Sequence, residues 1–148
     1  MALRLIVKEG EPLLEKASRP VEKFDEKLWQ LLDDMSETMY AAEGVGLAAP
    51  QVGVLRRVCV IDVGDGLIEL INPVVTKTTG QQEPPEGCLS SPGKRGITRR
   101  PQKVTVEYFD RKGKKKTIKG TDLLAQALCH EIDHLDGILF KNHVIRWE

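Results

Sequence analysis

The sequence has few of the features that identify several large classes of protein. Its three cysteines, Cys59, Cys88 and Cys129, are odd in number and far apart, so we expect no secreted disulfide framework. It has no apolar run long enough for a membrane span, and the apolar run near its start is too short for a signal peptide. Basic and acidic residues number 22 each, so the overall charge indicates neither nucleic acid nor an anionic membrane as a partner. We therefore expect a cytoplasmic protein with no DNA or membrane partner.

The composition that remains is that of an ordinary globular protein. The chain has 148 residues, of which 41% are hydrophobic and 30% charged. This length can bury a core without disulfide bonds and is typical of one domain. We expect residues 1–148 to form a single catalytic domain.

Hydrophobic periodicity predicts a long helix near the N-terminus, from about residue 24 to residue 42. Gly44 is placed to end it, and a small, Gly-rich loop is expected to follow over residues 44–53. The apolar residues of this helix form one stripe: Phe24, Leu28, Leu31, Leu32, Met35 and Met39.

From residue 57 onward the sequence pattern is typical of β-strands. Residues 57–63 and 67–73 flank a Gly-Asp-Gly turn, with Pro73 bounding the second strand, and residues 104–110 alternate in polarity. A charged segment leads into a further strand that ends near Ile118. Thr121 or Asp122 can cap a second helix, and Gly137 can end it. This order predicts an α+β fold of largely antiparallel sheets packed around a C-terminal metal-binding helix, with the long helix at the N-terminal side.

Residues 130–134 contain the pattern His-Glu-x-x-His. On a helix, His130 and His134 lie one turn apart and face the same point. Glu131 can then reach a water molecule held by a metal without binding the metal itself. The pattern predicts two imidazole ligands and a carboxylate base, although a solvated helix face is an alternative.

The third ligand decides the class of metal site. Metzincin proteases continue the pattern to a third histidine, and Gly137 fits that pattern, but Phe140 occupies the ligand position and His143 comes three residues too late. We therefore expect the third ligand from upstream.

Cysteine is the natural upstream candidate. Cys59 lies in an apolar strand, and Cys129 lies about 100° around the helix from His130, so both indicate core positions. Cys88 follows two prolines and a glycine, which favours a loop or a strand end. A Cys88 thiolate with the two histidines would leave one metal position open for water.

Three separate segments resemble the signature motifs of the peptide deformylases. They are GVGLAAPQ at residues 44–51, EGCLS at residues 86–90 and HEIDHLDG at residues 130–137. They occur in the family's order, and the segment before them resembles the family's long N-terminal helix. The likeness extends from about residue 3 to about residue 146.

This resemblance implies a metal-dependent hydrolase that removes the formyl group from the N-terminal formyl-methionine of newly made proteins and releases formate. It implies that Glu131 is the general acid and base while metal-bound hydroxide attacks the formyl carbon. One divalent metal is implied, Fe²⁺ natively, with Zn²⁺, Ni²⁺ or Co²⁺ able to replace it. The resemblance assigns the metal to Cys88, His130 and His134, and the formyl oxygen to the Gln51 side chain and the Leu89 backbone N–H.

The implied substrates are N-formylmethionyl peptides and nascent chains. The backbone of residues 44–46 (Gly44, Val45 and Gly46) can pair with an extended peptide as an added strand does. The resemblance places Val45, Leu123, Ala127 and the ring of His130 around the methionine side chain, with core packing as the alternative for the first two. It also places Arg100 near the peptide, where a solvated surface arginine is the alternative.

Other interpretations remain at this stage. A zincin-like metalloprotease shares the helix motif but lacks its downstream ligand here. A structural metal site would need a fourth protein ligand, for which Cys129 or His143 are the candidates. Cys129 also stands where the family commonly has glutamine. The basic segment 111–116 suggests a transient ribosome contact through RNA, against the alternative of a solvated hairpin.

Overall fold

The computed structural model describes residues 2–148 and has the expected α+β architecture. Its helices are α1 (Glu26–Ala41) and α2 (Asp122–Leu135), and neither of them, within this part of the chain, is long and apolar enough to cross a membrane. Its strands are β1 (Gly46–Ala48), β2 (Val58–Ile61), β3 (Ile68–Thr79), β4 (Pro85–Cys88), β5 (Ser91–Thr98), β6 (Lys103–Phe109), β7 (Lys115–Thr121) and β8 (Val144–Trp147). They form one sheet in the order β1-β2-β3-β6-β7 and another in the order β4-β5-β8, with antiparallel pairing in both.

Helix α1 confirms the predicted N-terminal helix, with a later start. Asp25 has an extended backbone, and its carboxylate accepts a hydrogen bond from the Leu28 N–H at 3.1 Å. This is an N-cap, so helical geometry begins at Glu26 and not at Phe24. Phe24 instead packs its ring against Phe109 of β6, with centroids 6.2 Å apart.

Strand β2 is buried on both faces, and this positions the two helices. Val58 and Val60 belong to the apolar cluster on the α1 side, whereas Cys59 and Ile61 belong to the cluster on the α2 side. The alternation follows from the two-residue period of a strand. Cys59 is fully buried, and this burial raises the pKa of its thiol well above the ordinary value, so the predicted core role is confirmed.

The end of α2 is set by Gly137, as predicted. Its φ of +75° lies in the left-handed region, and its N–H bonds to the His134 carbonyl at 3.1 Å. A Cβ at this position would lie 2.7 Å from the backbone of Glu15. Glycine is therefore required both by conformation and by the close passage of the N-terminal segment.

Several strands differ from the sequence prediction. Residues 46–48 were expected to be loop but form β1, because they pair with β2. Pro73 does not end β3, which continues to Thr79 after a register shift between Ile71 and Val74. Such an irregularity lets a strand carry a proline that lacks an N–H. Strands β4, β5 and β8 were not predicted, because their glycines, prolines and charges give no alternating pattern.

The packing of α2 gives a stability prediction. Leu128 is completely buried between α2 and the larger sheet, whereas Leu123 on the same helix is 47% exposed. We expect Leu128→Ala to lower the free energy of unfolding by about 2–5 kcal/mol, because it leaves a cavity. Leu123→Ala should cost less than about 1 kcal/mol. Urea denaturation followed by circular dichroism measures both, and equal losses would contradict this description of the core.

Candidate metal centre

Helix α2 and the end of strand β4 bring together three side chains of types that can bind a metal, Cys88, His130 and His134, and we call them the metal-ligating group. The rings of His130 and His134 lie one turn apart with centroids 5.0 Å from each other. The Cys88 sulfur lies 3.3 Å from Nε2 of His134, and one ligand atom from each of the three residues falls within 4.8 Å of the others. The pairing of β4 with β5 shifts between Gly87 and Cys88, which turns the chain at the site.

The chemistry of these donors fits a single divalent metal. Burial, together with the nearby charge of His130, lowers the pKa of His134 to about 3, so its ring is neutral and able to donate a lone pair. Burial acts to lower the pKa of His130, but the negative charges around it, first Glu131 and then Cys88 and Glu86, raise it well above the ordinary value. The same negative field would attract a cation. A thiolate and two imidazoles suit Zn²⁺ and Fe²⁺ alike, and three protein ligands leave a position open.

Glu131 lies beside these donors with its carboxylate directed toward β1. Its side chain is buried, with Oε2 4.0 Å from Nε2 of His130. Gly46 makes the space for it, because a Cβ there would lie 2.5 Å from the same oxygen. Burial raises the pKa of Glu131 to about 7, so the carboxyl group can take up and release a proton near neutral pH.

The amide of Gln51 is held in one orientation at the edge of the site. Its Oε1 accepts the Ala48 N–H at 3.0 Å, and its Nε2 donates to Ser90 Oγ at 3.1 Å. The same Nε2 lies 3.5 Å from the Cys88 sulfur. The N–H edge of this side chain therefore faces the site, where it can donate to an anionic oxygen.

A cavity of about 540 Å³ opens onto the metal-ligating group. Gly44 and Leu89 meet at its wall, where a Cβ on the glycine would lie 2.7 Å from the Leu89 side chain. Val45 and Leu123 line the cavity and are 45% and 47% exposed, so neither is an ordinary core residue. Ala127 also lines it.

Glu86 is a central residue that the sequence reasoning missed. Its carboxylate lies 2.6 Å from Nδ1 of His130, which fixes the ring and leaves Nε2 facing the site. Burial alone would raise the pKa of Glu86, but the hydrogen bonds and charges of His130 and Arg100 hold it well below its usual value. The available signal was its place two residues before Cys88, which keeps it near the site along the chain. Strand alternation gives no further help, because the register shifts between Gly87 and Cys88.

Arg100 has a different environment from the one the resemblance suggested. It is only 3% exposed, it does not line the cavity, and its guanidinium pairs with Glu86 at 2.5 Å and with Asp133 at 2.8 Å. A buried arginine needs such carboxylate partners. Its donors are therefore directed at Glu86 and Asp133, and it is neither a solvated surface arginine nor placed to reach the peptide.

Phe140, Cys129 and His143, the other positions considered for a ligand, are not part of the metal-ligating group. Phe140 stacks on His130, with centroids 6.0 Å apart, where a metzincin would have its third histidine. Cys129 packs against the apolar cluster on the α2 side, and burial raises the pKa of its thiol to about 11. Neither Cys129 nor His143 joins the group found within residues 2–148.

Comparison with known proteins identifies the family. A model of the polypeptide deformylase family matches residues 3–148. The chain belongs to the peptide deformylase family.

The similarity to individual deformylases covers nearly the whole chain. The peptide deformylase of Acetivibrio thermocellus is 60% identical over 147 residues, which are 99% of this chain and 86% of that protein. The peptide deformylase of Alkaliphilus metalliredigens is 59% identical over 146 residues, 99% of each chain. The crystal structure of a peptide deformylase from Legionella pneumophila superposes with a TM-score of 0.93 at 46% identity, covering 96% of this chain and 86% of that one.

Membership of the deformylase family confirms the activity expected from the three motifs. The enzyme removes the N-formyl group from nascent peptides, and the family is metal-dependent. The alternative of a zincin-like metalloprotease is not favoured.

Two glutamate–arginine pairs, whose glutamates are three residues apart and whose arginines are adjacent, test the role of Glu86. The Glu86–Arg100 pair is 3% exposed on both sides, whereas Glu83 pairs with Arg99 at 3.2 Å with both side chains about half exposed. We expect Glu86→Gln to destabilise the fold by about 3 kcal/mol, because it leaves the arginine charge buried and poorly compensated. It should also weaken metal affinity by about 10–100-fold.

Glu83→Gln is the matched control and should cost less than about 1 kcal/mol, with unchanged metal affinity. Chemical denaturation and competitive metal titration against a chelator measure the two quantities. Wild-type metal affinity in Glu86→Gln would contradict the positioning role.

Proposed function

We propose that Cys88, His130 and His134 hold one divalent metal, at which this deformylase hydrolyses the formyl group of N-formylmethionyl peptides. The observation that carries the proposal is the meeting of these three donors within 4.8 Å beside a cavity that is lined by Cys88, His130, Glu131 and Gln51. Fe²⁺ is the proposed native metal, as the resemblance to the deformylases implied. A thiolate with two imidazoles also accepts Zn²⁺, Ni²⁺ and Co²⁺, so the ligands alone do not select the metal. When bound, the metal would supply Lewis acidity that polarises the formyl oxygen and acidifies a water molecule.

The protein's own residues then move the protons. The Glu131 carboxylate takes a proton from the attacking water, whose oxygen bonds to the formyl carbon. The C–N bond breaks as Glu131 returns that proton to the leaving amine nitrogen, so formate and a free N-terminus are formed. A Glu131 pKa of about 7 suits both directions of this transfer.

Charge on the formyl oxygen would be stabilised by fixed donors. Gln51 Nε2 is held by Ser90, so it needs no reorganisation to donate to a developing oxyanion. The Leu89 backbone N–H, in the turn after Cys88, is the second proposed donor. Arg100 is proposed to support the site through Glu86 and not by contact with the peptide.

The cavity suits an extended peptide that begins with a methionine side chain. Val45, Leu123 and Ala127 supply apolar surface beside His130, and the backbone of Gly44 and Gly46 lines the same cavity. A peptide could pair with this backbone as an added strand. We further propose that residues 1–148 act as one catalytic domain, since the two apolar clusters share strands β2 and β3. A cytoplasmic location is proposed as well.

Formate release tests the assignment. Anaerobically purified protein should release formate from formyl-Met-Ala-Ser. Glu131→Ala should keep its metal but lose at least about 100-fold in kcat, because it removes the proton carrier. Cys88→Ala should lose metal affinity, whereas Cys129→Ala, one residue before His130, should retain it. No formate from wild type loaded with iron, nickel or cobalt would refute the function, and full metal binding by Cys88→Ala would refute the ligand set.

A transient ribosome contact is proposed through the hairpin of β6 and β7. Residues 102–121 contain seven basic and two acidic side chains, a net charge of +5 in a chain with no net charge. Ion pairs engage Lys115 with Glu107 and Lys116 with Asp110, and Lys112, Lys114 and Lys119 are also exposed. Clustered lysines favour the phosphate backbone of RNA.

Charge reversal tests this contact. A variant with Lys112, Lys114 and Lys119 changed to Glu should no longer sediment with ribosomes at low salt, while its activity on free formyl-Met-Ala-Ser is unchanged. Reversal of Lys16, Arg19 and Arg146, which are exposed outside the hairpin, controls for net charge. Equal sedimentation of both variants with wild type would exclude the hairpin.

A further inference from the structure

The segment just before a short 3₁₀ helix (Pro12–Glu15) joins two loops beside the metal-ligating group, those of Gln51 and Ser90. The Val7 N–H donates to the backbone carbonyl of Gln51 at 2.7 Å, and the Glu9 N–H donates to the carbonyl of Ser90 at 2.7 Å. N–H groups two residues apart point to the same side of an extended chain, so one short segment can bind both loops. We call residues 7–9 the N-terminal strap.

The two loops also meet each other directly. Ser90 Oγ accepts the Gln51 side-chain N–H at 3.1 Å, and both side chains are almost fully buried. The direction of the Gln51 amide therefore depends on where the Ser90 backbone lies. The strap holds that backbone through the Glu9 N–H.

The Glu9 carboxylate fixes the strap on the other side. Its Oε2 accepts from Ser91 Oγ at 3.2 Å and from Lys94 Nζ at 3.0 Å, and its Oε1 lies 3.4 Å from Lys141 Nζ. Ser91 follows Ser90, and Lys141 follows the Phe140 that stacks on His130. The side chain of Glu9 thus connects strand β5 with the segment after α2, and its backbone N–H adds the turn after Cys88.

We propose that Glu9 is a positioning residue for the deformylase reaction, which holds Ser90 and thereby aims the Gln51 side-chain N–H at the formyl oxygen. This inference rests on the proposed role of Gln51. Glu9 touches neither the metal-ligating atoms nor the cavity and acts through Ser90 and Ser91.

The physical reason is the sensitivity of a fixed donor to small displacements. Without the carboxylate, Ser91 loses its partner and the Glu9 backbone loses its anchor, so the Ser90–Gln51 contact can loosen. A donor displaced by about 1 Å stabilises the transition state much less, while ground-state binding of the peptide is little changed. The lysine partners are about half exposed, and such ion pairs add little to global stability.

Steady-state kinetics on the metal-loaded full chain test the proposal. We expect Glu9→Ala to lower kcat for formyl-Met-Ala-Ser by about 5–20-fold, with KM within about twofold of wild type. Glu9→Gln keeps an amide oxygen that can accept from Ser91, so its kcat should lie between those of Glu9→Ala and wild type. Melting temperature and metal content should match wild type. Glu11→Ala is the control, since Glu11 is exposed in the same segment.

A double-mutant cycle separates positioning from a general structural role. If Glu9 acts through Gln51, then Glu9→Ala should have no further effect on kcat in a Gln51→Ala background. Additive losses, a kcat no lower than that of Glu11→Ala, or failure of both Glu9 variants to fold would each overturn the proposal. Inactive wild type would instead refute the proposed function, and a Gln51→Ala variant with wild-type kcat would refute the role of Gln51 on which the inference rests.

Discussion

The buried carboxylate of Glu86 is the interaction on which the arrangement of this enzyme depends. It comes from the smaller sheet and binds at once to His130 of α2 and to Arg100, which follows β5. The two sheets share no strand, so this contact and the meeting of Cys88 with the histidines bring them to a common centre. A buried charge is stable only when partners of opposite charge bind it with good geometry, and Glu86 has such partners in Arg100 and His130.

The surroundings of Glu131 are also fixed by a few specific contacts. Gly46 gives it space, burial raises its pKa to about 7, and the chain of bonds from Glu86 to His130 holds the neighbouring ring. The donors opposite are fixed in a similar way, with Gln51 held by Ala48 and Ser90. Catalytic groups that are already in position cost little reorganisation during the reaction, which is the main source of electrostatic catalysis.

Sequence reasoning succeeded where a pattern has a period or a fixed spacing. The helix of residues 130–134, the N-terminal helix and the alternating strand near residue 104 all show such regularity, and the structure contains each of them. It failed where structure comes from pairing with a distant segment. Strand β1 exists because residues 46–48 lie beside β2, and β4 and β5 form a hairpin from residues that carry no alternation. Arg100 was misplaced for the same reason, because its partners lie 14 and 33 residues away.

The sequence by itself determined the family, the fold class and the residue types available for metal chemistry, since these follow from local motifs and from their order. It also excluded a third histidine at the metzincin position, because that position is occupied by Phe140. Only the tertiary structure decided which groups hold the catalytic residues in place. Glu86, Ser90 and Glu9 became visible as supports once the chain brought them next to His130, Gln51 and the turn after Cys88. The reason is physical: hydrogen bonds and buried ion pairs act over about 3 Å in space, whereas the segments that form them lie tens of residues apart along the chain.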